Sequence, residues 1–430
     1  MRKLWIVLAL PGLASADVRH AVGSFVEGAA SVTVSDSKGS FAPIALRLYA
    51  TDQTAVGSVA NARLSIGFCA INGGTTSCGS VWAGQSDSGG TTASTVSKRA
   101  TVLNRGVVLY TEPSGTKVAE ATVTLTSTGF TLSWGTNDGA ARIWNYEADG
   151  GSDLTAKVIS GSQAAGSVAY TVGFPASVVF FIAGNSGSLG NSPVTPVTNW
   201  DLSYGACVGT NTGTAGGVGG QSATGLATSA TNVIETPSVV TWLTSSAPGI
   251  YQQATCSAFD ATTFTLTYSV MGGAAGPDMV FLAIGGGAWT AGISTQPPSI
   301  GNQSLTTAGM IPKGITLFSV DHAHSATYQS GLKYSFGGSD GTNYFSDFVG
   351  AKTGATVQVA STSMSQSSLL NMMTEGGATP TTQAIVDTVA FSSGAATLHW
   401  SAADAVAREF VWVAMGAPPA TGAIKHKVIQ

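Results

Sequence analysis

Residues 127–151 read STGFTLSWGTNDGAARIWNYEADGG, and the form of this stretch decides the fold. A turn of small residues leads into Thr131-Leu132-Ser133-Trp134, which alternates polar and apolar side chains as a strand with one buried face does. Eight residues after Trp134 comes Arg142, then an apolar run that closes in Ala148-Asp149-Gly150. The pattern returns twice: TLTY at 265–268 and TLHW at 397–400 follow at intervals of 134 and 132 residues. Trp400 leads to Arg408 at the same distance of eight and then to REFVWVAMGA. The middle copy closes in MVFLAIGG but has Gly-Pro-Asp where the others have arginine.

Two further anchors lie upstream in the same order. FAPIALRLY (41–49), FPASVVFF (174–181) and MIPKGITLF (310–318) each set a proline before an apolar run, and Pro43, Pro175 and Pro312 are 132 and 137 residues apart. Proline at the entrance of a strand leaves its missing N–H outside the ladder. LSIGFC (64–69) matches LSYGAC (202–207), with LKYSFG (332–337) as a weaker third copy. Three ordered anchors at one long period predict three homologous units, 18–150, 151–286 and 287–417, flanked by 1–17 and by a tail, 418–430. Short alternating strands with turn signals make each unit an all-β sandwich, with a jelly-roll topology left open. One segment, SQSSLLNMMTEG (365–376), reads as an exception with helical character.

Composition agrees with that class. At 430 residues the chain exceeds one ordinary core, which predicts two to four domains. Charged residues make only 9%, against roughly 25% in typical soluble domains, while glycine alone supplies 55 residues. A net charge of −4 gives no basic footprint for nucleic acid or a membrane surface. The longest apolar runs, LWIVLAL near the start and VVFFIA at 178–183, fall well short of the ~20 residues of a membrane span. Weak surface charge gives little repulsion between molecules, which suits a protein that works inside an assembly.

The two termini have a reading of their own. MRKLWIVLALPGLASA has the charged start, short apolar core and small residues of a cleavable secretory signal. RKLWIVLALPG also has the form of the closing strands, a basic residue and an aromatic-rich apolar run. The closing-strand reading is preferred. HAVGSF, AKVIS and AGIST are the opening strands, and HKVIQ at 426–430 resembles AKVIS. A chain that starts on a last strand and ends on a first one invites strand pairing with a neighbour, so Trp5, Ile6, Val7, Lys427, Val428 and Ile429 are interface candidates.

Chemistry is sparse. Cys69, Cys78, Cys207 and Cys256 lack zinc spacing and are read as buried reduced thiols, although Cys69 and Cys78 flank a turn across which they can meet. Asp321-His322-x-His324 has bidentate metal spacing but reads as a polar loop, and GGSDGTN (337–343) is a turn with too few carboxylates for calcium. His399 takes the polar position of TLHW and is expected to face outward. Arg142 and Arg408 are expected to satisfy loop carbonyls, and Trp134, Tyr268 and Trp400 to pack in cores. No nucleophile elbow, HExxH or Walker loop is present, so no catalytic, metal or cofactor residues are assigned.

The pattern resembles repeats in structural proteins of tailed bacteriophages, whose closing segment runs as a turn, GFTL-x-W, then Ala-Arg, then an apolar strand ending in ALGG. FPASVVFF, STGFTLSW, ARIWNY and the final Gly-Gly carry the likeness, which covers all three units. The middle unit departs in lacking the arginine, and the third has Ala395-Ala396 in place of Gly-Phe. The resemblance implies a non-enzymatic virion component of decoration, tail or fibre type that forms homo-oligomers and binds other virion proteins. A secreted, carbohydrate-binding adhesin that meets a host-surface glycan is the alternative. A glycan-degrading enzyme would need paired carboxylates in a groove.

Overall fold

The computed structural model describes residues 17–28, 30–35, 42–86, 97–111, 114–184, 190–191, 196–209, 215–226, 229–243, 249–272, 279–322, 327–355, 359–374 and 380–417. Among these residues the chain is all-β, with strands and no helix. The terminal candidates Trp5, Ile6, Val7, Lys427, Val428 and Ile429 lie outside the described residues.

Six sheets, antiparallel except where Gly190–Asn191 joins Ser97–Leu103 in parallel, form three pairs, each a large sheet and a four-stranded one. In the first large sheet, the opening strand Arg19–Val26 pairs the closing strand Ile143–Gly150. The order then runs through the proline-led strand Pro43–Ala50 to Ala62–Asn72, Thr75–Gln85 and Ser97–Leu103. The same order of pairing recurs from Thr155–Gly161 and Met279–Gly285 in the second large sheet. It recurs again from Ala288–Thr295 and Glu409–Ala417 in the third. HAVGSF, AKVIS and AGIST lie within the three opening strands, and each opening strand has its closing partner among the described residues.

The middle strands of every sheet follow one another as meanders, which is not the double Greek-key order of a jelly roll. Prolines mark irregularities where the ladder needs one fewer donor: the register shifts beside Pro43 opposite Gly150, and beside Pro312 opposite Gly416.

Each large sheet is completed by strands from another part of the chain. Gly190–Asn191 and Val197–Thr198 extend the first large sheet at Ser97–Leu103. Gln329–Ser330 extends the second at Thr231–Thr236. Gly57–Ala60 extends the third at Ala360–Ser365. The first sheet borrows from the second stretch of chain, the second from the third and the third from the first. The exchange therefore closes a ring.

The large sheets are covered on both faces, which is why Met279–Gly285 and Trp200–Val208 are buried along their whole length. One face of each packs on its four-stranded partner, giving three separate outer cores. The other faces meet in a shared central core with aromatic contacts between sheets: Tyr204 lies 4.8 Å from Phe318 and 6.3 Å from Phe68, and Tyr49 lies 5.2 Å from Phe345. The four-stranded sheets keep an outer face in solvent, and Thr122 and Thr124 alternate there with buried neighbours in Thr116–Thr126.

Three sequence expectations are corrected. All four cysteines are in disulfides: Cys69 with Cys78, which stand opposite each other in paired strands, and Cys207 with Cys256, which joins the two sheets of the second pair. Segment 365–376 is not helical where it is described. Leu370–Met373 is a strand paired with Thr382–Ser392, and Leu370 and Met372 are buried in an outer core, so its apolar run reflects a covered strand. The third copy of LSIGFC is also displaced. The ladders place Cys69 beside Leu46, Cys207 beside Val179 and Ser339 beside Ile315, so the match begins at Tyr334, two residues after Leu332. A shift of two keeps every side chain on its face and therefore leaves the alternation unchanged. The aligned glycines confirm the corrected register. A Cβ on Gly67, Gly205 or Gly337 would run into the carbonyl oxygen of Gly106, Val239 or Leu369, at the same crossing in each sandwich.

Candidate functional site

The inner face of the first large sheet carries charge where the other two carry hydrocarbon. Its closing strand contains Glu147 and Asp149, one residue apart and hence on the same face. Arg47, on the proline-led strand, stands beside Glu147, and His20, on the opening strand, stands beside Asp149. All four are buried, with His20 8% exposed, Arg47 1% and both carboxylates 0%.

The contacts are mutual. His20 Nδ1 is 2.6 Å from Asp149 Oδ1, and an Arg47 terminal nitrogen donates to Asp149 Oδ2 at 3.1 Å. Arg47 Nε lies 3.5 Å from Glu147 Oε2, which also accepts from the Tyr49 hydroxyl at 3.0 Å. The remaining partners come from the other two thirds of the chain. Thr316 donates to Glu147 Oε1 at 2.7 Å, the Tyr204 hydroxyl lies 3.1 Å from that of Tyr49, and the Arg47 guanidinium sits 4.1 Å from the Phe180 ring centroid. Arg47, Phe180 and Thr316 hold the same ladder position in their respective sheets, so the cluster lies where the three sheets converge.

Burial shapes the ionisation. It opposes the charge of Arg47, but Glu147 and Asp149 outweigh it and hold the guanidinium pKa above its usual value. Burial also works against the Asp149 anion, and Arg47 and His20 outweigh it, so its pKa falls. The Tyr49 hydroxyl is pushed well up by burial and by Glu147. At the margin of the cluster, Asp347 accepts twice from the Asn145 side-chain amide, at 3.1 and 3.0 Å, and burial raises its pKa to about 7.

A second charged corner repeats in two places. Arg142 pairs with Asp52, with Asp138 at 2.7 Å and with Glu27 at 3.5 Å. Arg408 pairs with Asp404 and donates to the Asp321 carbonyl at 3.2 Å. The expectation of loop carbonyls as partners describes Arg408 in part, whereas Arg142 engages carboxylates. Burial raises the pKa of Glu27 to about 7 and of Asp321 to about 6.

Other sequence candidates fall as follows. His399 projects from an outer face with Nδ1 2.7 Å from Asp387. His324 lies outside the described residues. Asp340 of GGSDGTN accepts from the backbone N–H of Thr342 and Asn343 and from the Val22 N–H, so its oxygens clamp a turn and a seam. Tyr268 and Trp400 belong to outer cores and Trp134 packs against one.

Sequence reading missed the charged cluster, although a signal was present. Glu-Ala-Asp interrupts NYEADGG where the other closing strands have Leu-Ala-Ile and Val-Ala-Met, and Arg47 interrupts IALRLY. Among the described residues no group of three or more His, Cys, Asp or Glu is placed to hold a metal, and no helix is long and apolar enough to cross a membrane. The cluster is walled in by three sheets, so what its charges can do is fix how those sheets meet. No protein-family model matches the chain, and no curated protein is similar to it.

Proposed function

We propose that the protein is a non-enzymatic structural component of a tailed-phage virion, a capsid- or tail-decorating or fibre-like protein that works through protein–protein interfaces. The observation that carries this reading is the ring: three sheet pairs of one strand order surround a common core within one chain. Such a chain has the geometry of a closed trimer made covalent, and it suits a threefold position in a lattice or on a tail. The weakly charged composition and the likeness to phage structural repeats support the same reading. Its partners are then other virion proteins and further copies of itself.

Mass spectrometry and electron microscopy of purified particles test the proposal. The expected result is the protein in stoichiometric amount with three lobes per chain at a threefold or pseudo-threefold site. Particles without it, or with density for one or two lobes per chain, overturn the reading.

One observation favours a second reading, a secreted or surface-exposed carbohydrate-binding adhesin. Both cysteine pairs are disulfides, and disulfides persist in oxidising compartments and are rare in the cytosol. Intact mass and N-terminal sequence of the mature protein separate the two. A chain that starts at Asp17 supports export, and one that retains Met1 supports the virion reading.

A further inference from the structure

A groove of about 350 Å³ runs along the seam where the first opening strand meets the third pair of sheets. Its volume lies at the small end of the range for ligand sites, about 300–1,000 Å³. One wall is Ser24 and Ser35 with Tyr146 behind them, and the other is Asn343, Tyr344 and Gln366. Among the described residues no charged side chain lines it.

The backbone adds to this polar wall. Among the described residues Arg19–Val26 lies at the end of its sheet and pairs on one side only, in unbroken register. The Val22 N–H points away from that ladder, since it donates to Asp340 at 3.2 Å. Outward groups recur at every second residue of an edge strand, so the N–H and C=O of Ser24 face the same way, at the groove. Asp340 takes the edge at Val22. Asp340 blocks a long added strand from running past Val22, and the stretch at Ser24 suits a small ligand.

The walls are held in place. Gln366 donates to the Ser24 hydroxyl at 2.7 Å across the seam, and Asn343 donates to Asp340 at 3.0 Å. That leaves the side-chain carbonyl oxygens of Gln366 and Asn343 to accept from a ligand. Gly23 is required beneath them, because a Cβ there would come within 2.6 Å of the Tyr146 hydroxyl. Neutral donors and acceptors beside a tyrosine, with the Asp340 carboxylate behind Asn343 and no cation among the described lining residues, do not match a phosphate, a carboxylate or a lipid headgroup. They match a ligand that is neutral, rich in hydroxyls and apolar on its C–H faces.

We infer that this seam groove binds a neutral saccharide residue, with Ser24, Asn343 and Gln366 bonding its hydroxyls and Tyr344 contacting its ring. The site goes beyond the virion reading and deepens the adhesin one; its failure leaves the virion reading untouched, and the adhesin reading is decided separately by the mature N-terminus. Titration of the full chain with methyl glycosides of glucose, galactose and N-acetylglucosamine tests it, read by ligand-observed saturation transfer and by the backbone amide signal of Ser24. At least one glycoside is expected to bind and to shift Ser24, and inorganic phosphate is expected not to compete. Gln366→Ala and Tyr344→Ala should each weaken binding by about fivefold or more. Tyr344→Leu, which keeps apolar packing without the aromatic face, serves if Tyr344→Ala does not fold. Three results overturn the assignment: no glycoside shifts Ser24, the variants bind as the parent does, or phosphate displaces the sugar.

Discussion

The first large sheet and the second are built on one strand order and solve the same burial problem with opposite chemistry. At four matched ladder positions the first has His20, Arg47, Glu147 and Asp149, and the second has Ala156, Phe180, Leu282 and Ile284. The third, with Trp289, Thr316, Val413 and Met415, sides with the second except at Thr316, which is the residue that bonds Glu147. Hydrocarbon in two sheets drives association without direction. The ionic cluster in one sheet adds direction, because its charges are satisfied only when Thr316, Tyr204 and Phe180 arrive in place. A ring of three similar sheet pairs has the problem of which face meets which, and an ionic cluster built on one sheet distinguishes that sheet from the other two.

Breaking the cluster on one side has the largest expected effect. Arg47→Ala leaves two carboxylates buried without their cation and should cost about 3–5 kcal/mol in denaturant unfolding. Converting the first sheet to the second's chemistry, with His20→Ala, Arg47→Phe, Glu147→Leu and Asp149→Ile together, should instead recover most of the parent's stability. If the fourfold variant unfolds as readily as Arg47→Ala, the cluster contributes net stability and the comparison fails.

The cysteines sharpen the contrast from the other face of the same sheets. Cys69 and Cys207 hold one ladder position, yet the first closes a short hairpin within its sheet and the second ties two sheets together. With sequence separations of 9 and 49, chain entropy predicts a loss of about 4 kcal/mol for replacing Cys207 and Cys256 by alanine, and about 3 kcal/mol for Cys69 and Cys78. Unfolding of the two double variants under identical conditions checks the order.

Acidity probes the margin of the cluster. Asp347 has its pKa raised to about 7 from the usual 3.8, so the native state binds more protons than the unfolded state between these values. Its contribution is greatest below pH ~4, is lost as pH rises towards ~7 and is flat above that. Asp347→Asn, which keeps an acceptor for Asn145, should flatten this part of the stability profile and raise the unfolding midpoint at pH 8 relative to the parent. An unchanged profile would show that Asp347 is solvated in the native protein. The smallest effect is Thr316→Val, which removes one hydrogen bond to a carboxylate and should cost about 1.5–3 kcal/mol by the same measurement.

Much of the fold was legible because strands carry their burial pattern in the local sequence. TLSW, TLTY and TLHW lie on equivalent strands, as do FAPIALRLY, FPASVVFF and MIPKGITLF, since alternation and a leading proline are properties of a few adjacent residues. The site was less legible. Arg47, Glu147 and Asp149 stand out as charges in apolar runs, but their partners are more than a hundred residues away in sequence in the case of Tyr204 and Thr316. The displaced register of LKYSFG was hidden because a two-residue slip preserves alternation.

By itself, then, the sequence determined that this chain forms short antiparallel strands with one recurring set of turns and closing runs. Those features depend on side-chain period and backbone preference within each segment. Tertiary structure alone decided that the sheets exchange edge strands in a closed ring, that the cysteines pair in two different ways and that buried charge lies where three sheets meet. Each of these is a contact between residues with no local constraint on one another, and the free energy that selects it exists only once the sheets are packed.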